Sequence, residues 1–276
     1  MTPDPAPNLR RLLAFYADAG VDCALAEDPI NRMLEETPEP AARETAPEPR
    51  SPVKPAFHPP PAPALGFGTP PAGPDTAIIS AREAASTAPT LQALRELMQR
   101  FDGCALRATA TQLVFADGNP EAKVMFVGEA PGRDEDIEGL PFVGRSGKLL
   151  DLMLAAIGLN RGNVYIANVI PWRPPGNRTP TPQETQICLP FIRRQIELVN
   201  PDLLVTLGNP STQTLLGTRD GIMRTRGRWF DYDTGTRTIR ALPTLHPAYL
   251  LRQSTYKRLA WQDLRAIATA IAATSA

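Results

Sequence analysis

One stretch constrains the fold of this chain more than any other: residues 124–150, VMFVGEAPGRDEDIEGLPFVGRSGKLL. It reads as a buried strand, a Gly/Pro-bent acidic loop, an aromatic on a second loop, and the start of a helix. The apolar run stops at Gly128-Glu129-Ala130-Pro131-Gly132. That puts ligand-facing groups at the carboxyl end of a strand, where open α/β sheets bind their ligands. Gly128 and Gly132 let backbone N–H groups come close to a ligand, and Pro131 fixes the bend. Alone, the loop reads as a tight turn followed by a solvated acidic run. Two later segments change that balance.

Downstream of this stretch, strands and helices alternate. Residues 123–128, 163–169 and 202–208 read as apolar strands, 238–245 as the last core strand and 228–233 as an added one. Helices are expected over 146–157, 181–199, 211–216 and 254–273. The third of these core strands is preceded by a helix entered through Thr-Pro-Gln-Glu, a capping-box pattern. Upstream, residues 78–101 read as one or two helices, broken at 86–90, with Thr90 a candidate N-cap. This pattern predicts an α/β fold, a three-layer α/β/α sandwich around a mainly parallel central sheet. Its strand ends form one shared rim carrying Gly128–Gly132, Asn168, Gly208, Asn209 and His246.

The chain has 276 residues, 42% hydrophobic, enough for one sizeable core plus a tail. Residues 37–74 hold 13 of the 31 prolines, a composition that cannot bury a core. The expected organisation is a short N-terminal helical segment over 1–36, a disordered Pro-rich linker over 37–75, and a folded domain over 76–276. The tethered helix could dock on a protein partner or on the main domain. No run of 18 apolar residues marks a membrane span, and the N-terminus lacks a signal-peptide core. Three separated cysteines make no disulfide framework, so the cytoplasm is the expected compartment. A monomer is the expected state.

The formal charge is zero but uneven. Residues 1–140 carry 12 Lys and Arg against 21 Asp and Glu, a net −9; residues 141–276 carry 17 against 8, a net +9. Arg supplies most of the excess, and its planar fork suits phosphate. Solvated helix faces account for Arg193 and Arg194, but less well for the loop cluster Arg224, Arg226 and Arg228. The asymmetry hints at nucleic acid.

Only two histidines occur, and His58 lies in the linker, so His246 is alone in the folded part. It ends a strand, precedes Pro247, and falls on the predicted rim. Asn168 also ends an apolar strand. It is either a turn cap or a carboxamide that reads an amide-like edge such as that of uracil, offering donor and acceptor together. Phe142 is either core or a platform on which a base stacks.

Together these pieces closely resemble the uracil-DNA glycosylase superfamily, and within it the family 4 enzymes of bacteria and archaea. The resemblance rests on GEAPGRDED (128–136), GLPFVGRSGKLLD (139–151), NVIPWRPPGNR (168–178), LVTLG (204–208), RGRW (226–229) and HPAYLLR (246–252). It runs from about residue 95 to the C-terminus and leaves out the N-terminal helix and linker.

The resemblance implies a DNA-repair enzyme acting on uracil-containing DNA, which flips uracil out and hydrolyses its N-glycosidic bond to leave an abasic site. By motif position, Asn168 would read O4 and N3–H, Phe142 would stack on the ring, and His246 would donate to O2 of the leaving base. Gly128, Ala130, Pro131 and Gly132 would line the pocket. The water-handling carboxylate is open: Ala130 occupies a slot that holds an aspartate in another branch, leaving Glu129 as first candidate and Glu135 as second. Glu135 could also crowd the C5 position to exclude thymine. Asp134 and Asp136 read as surface. Tyr249, Leu250, Leu251 and Arg252 would form a DNA-penetrating loop with an apolar wedge, and Arg178 would also meet DNA. A non-catalytic DNA-binding relative of the same fold is the competing reading. A branch that traps its product on a loop histidine fits poorly, because residues 168–178 contain none.

The resemblance also implies a four-iron–four-sulfur cluster on four cysteines, and here the chain departs from the family. Cys104 and Cys188 match two ligand positions, but Phe101 and Trp172 stand at the other two. Neither can bind iron, and Cys23 lies in the tethered segment. The expectation is therefore no metal and no cofactor, with Cys104 and Cys188 as remnants and apolar side chains filling the space.

Overall fold

The computed structural model describes residues 74–274. The readings made for the N-terminal helix, most of the linker, His58 and Cys23 lie outside the described residues. Within them the chain opens with helices α1 (Pro74–Thr87), α2 (Leu91–Arg100) and α3 (Leu106–Thr109). Thr90 caps α2, its hydroxyl accepting from the Ala93 N–H at 3.1 Å. The sheet elements follow: β1 (Asp117–Gly118), β2 (Val124–Gly128), β3 (Tyr165–Asn168), β4 (Leu203–Leu207), β5 (Phe230–Asp233) and β6 (Thr238–Thr244).

Six strands form one sheet in the order β1-β3-β2-β4-β6-β5. The four central strands are parallel, while β1 and β5 pair antiparallel at the two edges. This bears out the mainly parallel α/β architecture. β2 and β4 are buried at every residue, as a parallel sheet covered on both faces requires.

Strand alternation divides the core. Met125 and Val127 of β2 pack with α1, α2 and α6 (Pro182–Val199) on one face. Val124 and Phe126 point to the other face. There they join Leu150, Met153 and Leu154 of α5 (Arg145–Ala155) and Ala260, Leu264 and Ile267 of α10 (Lys257–Thr274). Helix α6 begins with the expected capping box: Glu184 N–H donates to the Thr181 hydroxyl at 3.2 Å, and Thr181 N–H to the Glu184 carboxylate at 2.7 Å. The remaining helices are α4 (Arg133–Glu138), α7 (Asn209–Leu216), α8 (Ile222–Thr225) and α9 (Pro247–Arg252).

Three local readings need correction. The acidic run after Gly132 is not a solvated loop but helix α4, and it buries Asp136 to 3% exposure. Asp136 accepts from the backbone N–H and hydroxyl of Thr111, each at 2.8 Å, and so ties α4 to the segment before β1. The segment after His246 is helix α9 rather than an open loop. The Arg224–Arg228 cluster is not uniformly free for phosphate. Arg226 donates from Nε at 3.0 Å and from Nη2 to Asp263, and also reaches the Leu259 carbonyl at 2.5 Å.

Asp263 is 1% exposed and also accepts from the Thr244 hydroxyl at 2.7 Å, so it joins the end of β6 to α10. Removing one member of such a pair strands a buried charge. Arg226→Ala is expected to lower unfolding free energy by roughly 3–5 kcal/mol, read from urea denaturation. A loss below about 1 kcal/mol, the range of exposed pairs, would count against this role.

Candidate functional site

The register of β2 on β3 sets Gly128 opposite Asn168. The ladder continues past both strands, with Val169 N–H donating to the Gly128 carbonyl at 3.0 Å and Ile170 N–H to the Glu129 carbonyl at 2.9 Å. The two chain segments therefore leave the sheet stitched together. A Cβ at Gly128 would overlap Asn168 Oδ1 and come within 2.6 Å of Phe142 Cζ. The missing side chain leaves room for both groups at one point.

Asn168 is 3% exposed, and its Nδ2 and Oδ1 are both buried without a hydrogen-bond partner. An unmade bond of this kind costs about 1–3 kcal/mol per buried group, so a carboxamide left wholly unpaired calls for an explanation. A ligand that offers one acceptor and one donor would satisfy both atoms.

Two rings border the same space. Phe142 is buried, and its ring centroid lies 5.5 Å from that of His246 at a tilt of 30°. Its backbone has φ 56°, a left-handed conformation uncommon for a bulky residue. His246 follows β6 and caps α9, its Nδ1 accepting from the Ala248 N–H at 3.1 Å. That bond fixes the tautomer of the neutral ring: the proton sits on Nε2, leaving a donor for the cavity. Burial, reinforced by the Arg252 charge, pushes the His246 pKa down to about 4.

The cavity has a volume of about 310 Å³. Glu129, Phe142, Asn168 and His246 line it, and so do Ala130, Pro131, Gly132 and Glu135 of the first loop. Arg178 and Arg252 stand at its edge. The two candidate carboxylates differ sharply. The Glu129 carboxylate forms no hydrogen bond or ion pair with other described residues, and burial pushes its pKa above the ordinary 4.5. Glu135 is 7% exposed and already engaged: it accepts from the backbone N–H of Gly132 at 3.0 Å, Val143 at 3.2 Å and Gly144 at 3.1 Å. Its carboxylate clamps the two loops that border the cavity.

The segment after His246 divides by face. Leu250 is 1% exposed and belongs to the core, so it cannot serve as an exposed wedge, whereas Leu251 is 40% exposed. The helical turn points adjacent leucines in different directions. Tyr249 stacks on Tyr256 at 5.5 Å. Arg178 forms a two-pronged pair with Glu184, at 2.9 and 2.6 Å, which orients its guanidinium.

Two residues that sequence reasoning missed sit directly behind Phe142. A Cβ on Gly147 would overlap the Phe142 carbonyl oxygen, so only glycine lets α5 approach so closely. Arg161 donates to the Phe142 carbonyl. The glycine was visible within GRSGK, but an arginine in a turn carries no distinguishing signal.

At the positions where the family resemblance implies cluster ligands, Phe101, Cys104, Trp172 and Cys188 share one buried apolar cluster. The two thiol sulfurs lie 3.9 Å apart, and Phe101 packs edge-on against Phe191 with centroids 5.0 Å apart. Burial raises the Cys188 pKa well above its ordinary value. Among the described residues, no group of three or more His, Cys, Asp or Glu side chains could hold a metal ion, and no helix is long and apolar enough to cross a membrane.

Comparison with known proteins points to one superfamily. The pattern of the Uracil DNA glycosylase superfamily matches residues 115–265. The chain is 40% identical over 177 residues to the type-4 uracil-DNA glycosylase of Thermotoga maritima, covering 63% of this chain and 91% of that protein. It is 43% identical over 162 residues to the type-4 uracil-DNA glycosylase of Archaeoglobus fulgidus, covering 57% and 81%. It is 38% identical over 183 residues to that of Sulfurisphaera tokodaii, covering 64% and 83%.

The site geometry makes a prediction independent of any substrate. Nitrogen NMR of the imidazole should show His246 half-titrated at about pH 4 and neutral, with its proton on Nε2, at neutral pH. Arg252→Ala removes a nearby positive charge and should raise the pKa part of the way toward 6.5. An ordinary pKa in the unaltered protein would contradict the partly buried, capped ring.

Proposed function

The chain belongs to the uracil DNA glycosylase superfamily, and we propose that it excises uracil from DNA by hydrolysing the bond between the base and C1′ of the sugar. The observation that carries this reading is the unpaired, buried carboxamide of Asn168. Uracil matches it: O4 accepts from Nδ2 while N3–H donates to Oδ1. Cytosine reverses that pattern, so it would leave both atoms in conflict. Phe142 stacks on the base, and the Gly128 backbone allows it to approach closely.

The target must leave the duplex stack, because its anomeric carbon is out of reach there. Leu251 and Arg252 on α9, with Tyr249, are the DNA-contacting groups, Leu251 as the apolar wedge and Arg252 at phosphate. Arg178 meets the backbone while Glu184 orients it.

As the C1′–N1 bond breaks, the bonding pair leaves with N1 and negative charge spreads onto O2, while the sugar becomes oxocarbenium-like. The Nε2–H of neutral His246 donates to O2 and strengthens as that charge grows, a preorganised electrostatic contribution. Glu129 orients a water toward C1′; the water oxygen bonds to carbon and its proton passes to the carboxylate. Glu135 is assigned to holding the loops, since both of its oxygens are already in use.

We also propose that the chain carries no iron–sulfur cluster. Two thiols cannot replace four, and Phe101 and Trp172 supply only apolar surface. No step of the reaction uses such a group.

Purified protein is expected to release uracil from a uracil-containing oligonucleotide without stoichiometric iron. Asn168→Ala and His246→Ala should each lower the single-turnover rate by about 10²–10³, the cost of removing one transition-state donor. Release by neither the unaltered protein nor the variants, with DNA binding retained, would instead identify a non-catalytic relative.

The pH profile separates the two titrating groups. Ionised Glu129 is needed, and burial raises its pKa above 4.5, so the rate should fall on acidification through that higher value first. Glu129→Gln should react slowly, and its remaining acid limb should move down to about 4, where His246 gains its proton and loses the Ala248 cap. An acid limb unchanged by Glu129→Gln would reassign the carboxylate.

A further inference from the structure

Phe142 is the one bulky residue with a left-handed backbone among the described residues; the other positive-φ residues besides glycine are Asn177 and Asn200. Asparagine tolerates that region through local hydrogen bonding, and phenylalanine does not. Such a conformation persists only where its surroundings over-determine it.

Here the Phe142–Val143 peptide is gripped at both ends. Glu135 accepts the Val143 N–H at 3.2 Å. On the other side, Arg161 donates from Nη2 to the Phe142 carbonyl and from Nη1 to the Pro141 carbonyl at 3.2 Å. Arg161 is itself aimed by two carboxylates, with Nη1 2.6 Å from Asp117 Oδ2 and Nε 2.8 Å from Asp151 Oδ1. Asp117 comes from the two-residue edge strand β1 and Asp151 from α5, so three separate segments converge on one guanidinium. Arg161 does not line the cavity.

We propose that Arg161 is a positioning residue for base recognition, holding Phe142 in its left-handed backbone so that the ring stays over Gly128 and beside His246. The inference rests on the reading of the site as a uracil pocket and adds to it a residue that never touches the base. A five-donor fork suits the task, because it meets two carbonyls and two carboxylates at once. Lysine, a point charge, cannot hold all four together.

The test uses the full chain and a uracil-containing oligonucleotide. Arg161→Met keeps most of the side-chain length and removes every donor. It should lower kcat/KM by about 10- to 100-fold, as expected when a group at the reacting centre is misplaced by about 1 Å. In a Phe142→Ala background the same change should cost less than about 3-fold, because the residue it positions is gone. Arg161→Lys should recover only part of the loss. Thermal midpoints recorded on every variant report any general weakening of the fold, which would persist in both backgrounds. Should Arg161→Met not fold, Asp151→Asn removes one restraint at a half-exposed site and should show the same dependence on Phe142, with a smaller loss. Equal losses with and without Phe142, or no loss at all while the unaltered protein releases uracil, would overturn the inference alone. No release by the unaltered protein would overturn the reading of function and this inference with it.

Discussion

Gly128 and Asn168 face each other across β2 and β3, and the site depends on what is absent between them. A single methyl group at Gly128 would occupy the place of the Asn168 carboxamide oxygen and press on the Phe142 ring. Parallel pairing fixes the register, and register fixes which side chains stand at the rim together. The backbone bonds from Val169 to Gly128 and from Ile170 to Glu129 extend that register into the loops. The proposed recognition group and the candidate water-handling carboxylate are therefore held by one continuous ladder. A site built on strand ends inherits the rigidity of the sheet, which loops alone do not supply.

Buried polar groups do the remaining positioning. Glu135, Asp136 and Asp263 are all nearly inaccessible, and each accepts hydrogen bonds from at least two groups. Their cost of burial is offset by those bonds. Asn168 is the contrast: it is buried as deeply and satisfied by nothing. Among the described residues Asn168 has the one buried side chain with both a donor and an acceptor left unpaired, which is what its proposed role in recognition needs. Asn209 Oδ1 shares the lack of a partner but does not line the cavity with Phe142 and His246.

The apolar strands, the α6 capping box, and the shared rim of Gly128, Asn168 and His246 were legible because local patterns determine them. Periodicity identifies buried strands, and a capping box needs only residues three positions apart. Helix α4 was not legible, since RDEDIE carries no apolar stripe and its burial comes from side chains that bind the backbone of distant segments. The difference between Leu250 and Leu251 was equally hidden, because two adjacent leucines are indistinguishable until the helix phase is known. Arg161 represents the far limit. Its partners lie on residues 117, 141, 142 and 151, and nothing local marks that convergence.

A cluster-free reading requires that something else hold the segment after Asn168. A metal ligated from four points would cross-link the residues before β2, the segment after β3 and helix α6. The chain offers two substitutes for that link. Val114 N–H donates to the Pro171 carbonyl at 2.9 Å, which joins the first two of those segments through backbone. Trp172 is 2% exposed within the same apolar cluster as Phe101, Cys104 and Cys188. A tryptophan buries about 150–250 Å². At about 25 cal/mol per Å², that is worth roughly 4–6 kcal/mol as an upper bound. Apolar burial of this size is non-directional, so it can anchor the segment but cannot set an angle. The direction comes from the ladder that Val169 and Ile170, just before Trp172, make to Gly128 and Glu129. On the proposed cluster-free reading, anchoring and orientation, which a metal centre would combine, are divided between packing and backbone hydrogen bonds, and the carboxamide of Asn168 lies at the junction between them.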